Sequence, residues 1–198
     1  MRQVLSLLGA ILFLGASASA QGPAGVGSGS RSGSNSFSPS DFATWQISIG
    51  YQYNRINLIG TPFKTNGLST TVTRYFGRWF GVEGQLGIGF GDTGATTTPP
   101  NLEARSLFVG GGPRLAYRNR SRIEPWLHCV VGVEHFRFTQ TVGVLGSNTA
   151  LGGAAGGGVD FLMGPHMAFR VEADGMGSRF FSTNQRHFQA ISGLVFNF

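Results

Sequence analysis

The stretch FGVEGQLGIGF at residues 80–90 alternates large apolar residues with small or polar residues. Phe80 and Ile88 fall on one face of an extended chain, whereas Glu83 and Gln85 fall on the opposite face. A period of two residues predicts a β-strand with one apolar and one polar face. The expected fold class is therefore all-β.

The same alternation recurs along most of the chain and is weakest at residues 68–76. The further segments that show it are 45–54, 68–76, 107–117, 125–133, 151–161, 167–174 and 188–198. Together with the first stretch they predict eight strands, and the connections between them alternate in length. Long connections are expected at 55–67, 91–103, 137–148 and 177–186, and short ones at 77–78, 118–122 and 164–166.

An even number of antiparallel strands with long connections at one end and short turns at the other is typical of a transmembrane β-barrel. Strands of about ten residues, tilted by roughly 40°, cover the apolar band of an outer membrane, which is ~25 Å tall. Composition agrees, because only 12% of the 198 residues are charged and 41% are hydrophobic. The 32 glycines disfavour a helical bundle, and the single cysteine excludes a disulfide framework.

The N-terminus has the pattern of a secretory signal peptide, with Arg2 before an apolar run and Ala18-Ser19-Ala20 at the expected cleavage site. An N-terminal membrane anchor is the alternative, but it needs about 20 apolar residues. No later segment approaches the length of a transmembrane helix. The expected domains are a signal peptide at 1–20, a flexible Gly/Ser-rich linker at 21–41 and an outer-membrane barrel at 42–198.

The face that carries the large apolar residues decides between two all-β architectures. A soluble, lipocalin-like periplasmic carrier would turn this face toward a ligand cavity and would cover its exterior with Lys and Glu. Here the polar face holds mainly Gly, Ser and Gln with isolated charges, and Lys64 is the only lysine. Such a face suits the interior of a narrow barrel, so the large residues are expected to face lipid.

Five segments, taken in order, resemble the small outer-membrane β-barrel domain of the OmpA/OmpX type: VTRYFGRWFGVEGQLG at 72–87, GGPRLAYR at 111–118, AAGGGVDF at 154–161, FRVEAD at 169–174 and SGLVFNF at 192–198. The resemblance implies an eight-stranded antiparallel up-and-down transmembrane β-barrel, exported through a cleaved signal peptide to the outer membrane of a Gram-negative cell. It also implies outer-membrane lipids, lipopolysaccharide, periplasmic chaperones and the barrel-assembly machinery as partners of a monomer.

In this family, aromatic and apolar residues at the C-terminus form an assembly signal, and Leu194, Phe196 and Phe198 match it. The alternative for Phe198 is an ordinary aromatic residue at a strand edge. Arg74 departs from the family pattern, because its parity places it on the lipid side. An arginine near the periplasmic rim can snorkel, so this departure bears on the register of the strand.

The inward parity of nine charged side chains predicts a polar network inside the barrel. These residues are Glu83, Arg114, Glu124, His128, Glu134, Asp160, Arg170, Glu172 and Asp174. Because an unpaired buried charge costs several kcal/mol, they are expected to pair and to plug the barrel. A narrow pore gated by Arg114 and Arg170 is the alternative, whereas eight strands exclude a wide channel.

Other chemistry is expected to be absent. His128 beside Glu124 and Glu134 suggests a general base or a metal ligand, but the sequence favours a satisfied interior histidine, since no second His or Cys shares its face at ligand spacing. Cys129 faces lipid by parity. The glycines at 152–158 lack the Lys-Ser/Thr of a phosphate loop. Neither a cofactor nor nucleic-acid binding is expected, because the arginines are scattered and the protein is exported.

The expected function is a structural or surface-interaction role without enzymatic activity. A lipid A-modifying enzyme is one alternative, for which His135 with Ser147, or His187 with Ser182, are the candidate residues. A loop-mediated adhesin or binding protein is another, with the loops at 91–103 and 137–148 as its binding surface.

Overall fold

A computed structural model describes residues 43–58, 61–92, 103–119, 121–140, 143–180 and 183–198. These residues form one closed antiparallel barrel in which every strand pairs with its neighbours in sequence. The strands are β1 (Trp45–Leu58), β2 (Thr61–Tyr75), β3 (Phe80–Asp92), β4 (Glu103–Ala116), β5 (Ile123–Gln140), β6 (Gly143–Leu162), β7 (Met167–Phe180) and β8 (Thr183–Asn197). The predicted eight-stranded up-and-down barrel is confirmed. The predicted signal peptide and linker, 1–20 and 21–41, lie outside the described residues.

Pairing of β1 with β8 closes the barrel, in a register that places Gln46 opposite Asn197. The Phe198 amide donates to the carbonyl of Trp45 at 2.9 Å, so the pairing extends to the last residue. Closure gives each strand two partners, which a sheet within a bilayer requires. We call the end that carries Phe198 and the turns after β2, β4 and β6 the termini end, and the opposite end the hairpin end.

Large apolar side chains cover the outer surface of the barrel. Ile49, Leu127 and Leu151 are half or more exposed, and Leu127 reaches 66%. The polar faces of the same strands are buried inside, as for Gln52 and Gln85. The predicted inside-out arrangement is therefore confirmed. Within the described part of the chain, no helix is long and apolar enough to cross a membrane.

The expected long connections at 55–67, 137–148 and 177–186 are wrong. Only two residues separate β1 from β2, and the same holds between β5 and β6 and between β7 and β8. Outward apolar residues mark only the part of a strand that meets lipid, whereas backbone pairing continues beyond it with polar residues such as Arg55 and Arg137 on the outer face. The fourth connection, predicted at 91–103, lies between Asp92 and Glu103.

Arg74 lies on the outer surface at the termini end, as its parity predicts. It pairs with Trp45 of β1 and Val82 of β3, so β2 keeps the expected register. Its guanidinium carbon lies 5.3 Å from the ring centroids of both Trp45 and Phe76. Cation–π contacts with two aromatic rings therefore accommodate the charge at the edge of the apolar band.

Three apolar clusters fill parts of the interior between polar groups. Their members are Tyr75, Ala116 and Trp126; Phe108, Val130, Ala154 and Met176; and Ile56, Ala104, Phe136 and Ala150. An eight-stranded barrel is just wide enough for side chains to fill, and alternation of large and small residues suits that width.

Candidate functional site

All nine charged residues predicted to face inward are buried in the barrel. Seven of them, contributed by β3 to β7, form what we call the central charge cluster. Its members are Glu83, Arg114, His128, Asp160, Arg170, Glu172 and Asp174. The other two have separate partners: Glu124 lies 3.7 Å from Arg118, and Glu134 lies 3.4 Å from His187.

Asp160 lies between two guanidinium groups. Arg170, its neighbour across the β6–β7 pair, donates to it twice, from Nε at 2.7 Å and from an Nη at 2.8 Å. Arg114 of β4 donates to the same carboxylate at 3.3 Å and to Glu83 at 2.5 Å. Arg170 also reaches across the lumen to the Thr71 hydroxyl at 3.2 Å. These bonds join β2, β3, β4, β6 and β7 through the lumen.

Trp126 of β5 packs against the same group of charges. Its indole nitrogen donates to Asp160 at 3.0 Å, and its ring centroid lies 3.7 Å from the guanidinium carbon of Arg114 and 4.7 Å from that of Arg170. Gly158, opposite Trp126 on β6, provides the space, because an added Cβ would lie 2.7 Å from the indole. Desolvated cation–π contacts of this kind add to the hydrogen bonds.

His128 has carboxylate partners at both ring nitrogens. Nδ1 lies 2.8 Å from Glu83 and Nε2 lies 3.0 Å from Asp174. Glu124 and Glu134 do not lie beside His128 as expected, because residues four or more positions apart on one strand are separated by over ~13 Å along the strand axis. Side chains that contact His128 come instead from other strands.

Two further basic residues of the described chain are buried in the interior, although they were not among the nine residues predicted to face inward. Arg118 follows Arg114 at even spacing, donates to the Ala43 carbonyl at 2.9 Å and packs over Tyr75. His187 faces Glu134 inside the barrel, whereas the enzyme alternative needs a base near the extracellular rim. In both cases the parity of the strand was the available signal.

Of the two candidate histidine–serine pairs, only His135 with Ser147 lies within the described residues, and no hydrogen bond joins these two. His135 contacts the Thr149 hydroxyl at 2.7 Å and is opposite that residue, whereas Ser147 is opposite Arg137. Ser182, the predicted partner of His187, lies outside the described residues.

The glycines at 156–158 lie in the middle of β6 rather than in a phosphate-binding loop. Gly156 is opposite both His128 and Asp174. A Cβ at this position would lie 2.1 Å from an Asp174 oxygen and 2.3 Å from the Ala173 carbonyl. Close packing inside the barrel accounts for this glycine.

Four exposed basic residues lie on the outer surface toward the hairpin end, and we call them the cation belt. Arg55 is directly opposite Lys64, and Arg105 is directly opposite Arg137. A carboxylate oxygen of Glu103 lies 3.8 Å from a guanidinium nitrogen of Arg105, and both side chains are more than 60% exposed. Like charges directly opposite one another destabilise a strand pair unless an anion lies between them.

Leu194, Phe196 and Phe198, the predicted assembly signal, lie on the outer side of the last strand and its end, with Phe198 67% exposed. Cys129 is also exposed on the outer surface. The role of the C-terminal residues in assembly stays a prediction.

Comparison with known proteins agrees with this geometry. The family described as outer membrane protein beta-barrel domain matches residues 6–195. The chain belongs to this family. Membership of this outer-membrane family and the exposed apolar surface are both inconsistent with the alternative of a soluble, lipocalin-like periplasmic carrier. At the termini end the turns follow the outward apolar residues directly, as at Phe76 and Trp79, whereas at the hairpin end paired strands such as β5 and β6 continue well beyond them. Because extensions beyond the apolar band are long on the extracellular side of such barrels and short on the periplasmic side, this asymmetry favours a periplasmic termini end.

Solved members of the same fold are distant in sequence. Neisserial surface protein A is 11% identical with a TM-score of 0.66, and the match covers 79% of this chain and 98% of that one. Ail, the attachment invasion locus protein of Yersinia pestis, is 19% identical with a TM-score of 0.57, covering 79% and 99%. No curated protein sequence matches the chain.

Proposed function

We propose that this chain is a monomeric, non-enzymatic outer-membrane barrel whose lumen is closed by the central charge cluster and whose outer rim contacts surface polyanions. The position of Asp160 carries the first part of this proposal. Arg114, Arg170 and Trp126 all contact its carboxylate, and they come from three different strands. Ion pairs and an aromatic ring in this cross-section favour a plug over a water-filled path.

Electrical conductance tests the closed lumen. The wild-type barrel in a planar lipid bilayer is expected to give no stepwise current, whereas Trp126→Ala is expected to give small steps, because it removes the largest ring from the cross-section. Trp79→Ala is the matched control, since Trp79 lies on the outer surface and is 57% exposed. Different gel mobility of boiled and unboiled samples verifies that each variant is folded. Stepwise current through wild type, equal to that through Trp126→Ala, would contradict the plug.

The surroundings of His135 and His187 support the absence of enzymatic activity. Lipid A chemistry needs a nucleophile and a base near the lipid-facing rim. His187 is buried in the lumen beside Glu134, and the described hydrogen bond of His135 goes to Thr149. The monomeric state is supported by barrel closure, which leaves no edge strand available to a second copy.

The cation belt supports the second part of the proposal. It lies just beyond the outward apolar residues, for example Leu107, which is two residues after Arg105 on the same face of β4. Phosphate groups of lipopolysaccharide occupy this level of the outer leaflet and would relieve the repulsion within each like-charged pair. Ail has been solved in complex with the heparin analogue sucrose octasulfate, a polyanion. We propose lipopolysaccharide phosphates as the ligands of the belt.

Thermal unfolding tests the cation belt. Added lipopolysaccharide is expected to raise the melting temperature of the detergent-refolded barrel, because a ligand that binds only the folded state stabilises it. The double variant Arg105→Gln/Arg137→Gln is expected to lose this rise, and Arg122→Gln, an exposed arginine at the termini end, is expected to keep it. Higher salt should reduce the effect by screening. An equal rise with dephosphorylated lipopolysaccharide would exclude phosphate recognition.

A further inference from the structure

We propose that His128, Glu172 and Asp174 form a binding site for a divalent transition-metal ion such as Zn²⁺ inside the barrel. One possible ligand atom from each residue lies within 4.8 Å of the other two, and all three residues are buried. His128 comes from β5, and Glu172 and Asp174 come from β7. Donors from two strands thus converge on one point of the lumen.

The buried carboxylate of Glu172, which receives no hydrogen bond from a donor group, distinguishes this site from a satisfied polar network. Its side chain is 2% exposed, and no N–H or hydroxyl group among the described residues donates to either carboxylate oxygen. One oxygen of Asp174 also lacks a partner there. Because a buried carboxylate without a partner is strongly unfavourable, a cation at this position would compensate for it.

The guanidinium groups of the central charge cluster are already engaged elsewhere. Arg114 pairs with Glu83 and Asp160, and Arg170 pairs with Asp160. In the described part of the barrel, neither arginine forms an ion pair of 4.0 Å or less with Glu172 or Asp174. A dication with a neutral His128 would balance these two carboxylates.

Glu83 positions His128 for metal binding. It accepts the Nδ1 hydrogen of His128 at 2.8 Å, and it is itself held by Arg114 and by the Thr73 hydroxyl, which donates at 3.0 Å. Metal-binding histidines characteristically donate their second ring nitrogen to a carboxylate in this way. Nε2 lies 3.0 Å from Asp174 and donates a hydrogen bond to it while it carries a proton; loss of that proton would leave the Nε2 lone pair for the ion.

The donor set and its surroundings define the class of ion. An imidazole combined with carboxylates suits first-row transition ions, whereas Mg²⁺ and Ca²⁺ prefer oxygen donors alone. Gly156, opposite His128 and Asp174 on β6, leaves the region beside Asp174 free of a side chain. The ion would take the place of the hydrogen bond between Nε2 and Asp174.

Metal content of the intact chain tests this site. The full-length protein is refolded in detergent with Zn²⁺, freed of loosely bound metal on a chelating resin and analysed for zinc. About one Zn²⁺ per barrel is expected. Glu172→Gln should weaken zinc binding at least tenfold, and Glu83→Gln should weaken it by ~10–100-fold through the orientation of His128. Glu124→Gln, another buried glutamate outside the site, is the matched control and should bind as wild type does.

A second measurement on wild type alone covers the case in which a variant does not fold. Zn²⁺ should shift the ¹⁵N resonance of His128 Nε2 far more than that of Nδ1. The proposal is overturned if wild type retains no zinc, if Glu172→Gln retains as much as wild type, or if the His128 resonances do not respond. In those outcomes a proton shared by the carboxylates would balance the site instead.

Discussion

Replacing Arg170 by alanine is expected to lower the free energy of unfolding of the barrel by about 3–5 kcal/mol. Arg170 is 1% exposed and donates two hydrogen bonds to Asp160 and one to Thr71. Its removal leaves a buried carboxylate with only the bond from Arg114, at 3.3 Å, and that from the Trp126 indole, at 3.0 Å. The effect is this large because the variant leaves the buried charge of Asp160 without its main partner, and not because the ion pair itself contributes that much.

Urea unfolding of the detergent-refolded protein, followed by tryptophan fluorescence, measures this difference. Arg105→Ala is the control, because Arg105 is exposed and its ion pair with Glu103 is expected to contribute less than ~1 kcal/mol. Equal unfolding free energies for wild type and Arg170→Ala would show that the arginine is dispensable and that Asp160 is stabilised by other means.

Replacing Gly156 by valine is expected to prevent formation of the folded barrel. A Cβ at this position would lie 2.1 Å from an Asp174 oxygen and 2.3 Å from the Ala173 carbonyl. Backbone atoms of a paired strand cannot move by the required distance without breaking the pairing, and overpacking by less than this already costs about 1–3 kcal/mol. Boiled and unboiled samples of the variant should therefore migrate alike on a gel.

Gly175→Val is the matched control on the neighbouring strand. Gly175 lies on the outer face, and a Cβ there would approach other atoms no closer than 3.8 Å. This variant should keep the mobility difference of wild type. A folded, heat-modifiable Gly156→Val barrel would mean that β6 can shift relative to β7 at modest cost.

Strand parity was sufficient to predict which side chains face inward, and the reason is geometric. Alternation fixes the face of each residue once one residue is assigned, so Arg74 outside and Asp160 inside follow directly. Parity does not give the partner of a side chain. Arg170 and Thr71 are 99 residues apart in the chain, and their contact depends on how the closed barrel aligns distant strands.

The sequence pattern did not predict the full length of the strands at the hairpin end or the position of His187. Polar residues on the outer face conceal the continuation of a strand above the apolar band, and β5 and β6 in fact extend to 18 and 20 residues. His187 falls just before the predicted last strand, at 188–198, and its parity with Gln189 places it inside. The contacts of His128 with Glu83 and Asp174 were not predicted, although all three residues were predicted to face inward, because the two carboxylates belong to other strands.

The two-residue connections at the hairpin end determine how this protein meets its surroundings. The exposed part consists of paired ribbons, in which insertion of a single residue would turn every following side chain to the other face. We therefore expect these connections to tolerate substitutions better than insertions. Antibodies that bind the ribbons would recognise residues from two strands at once, so we expect sera raised against unfolded protein to miss the native surface.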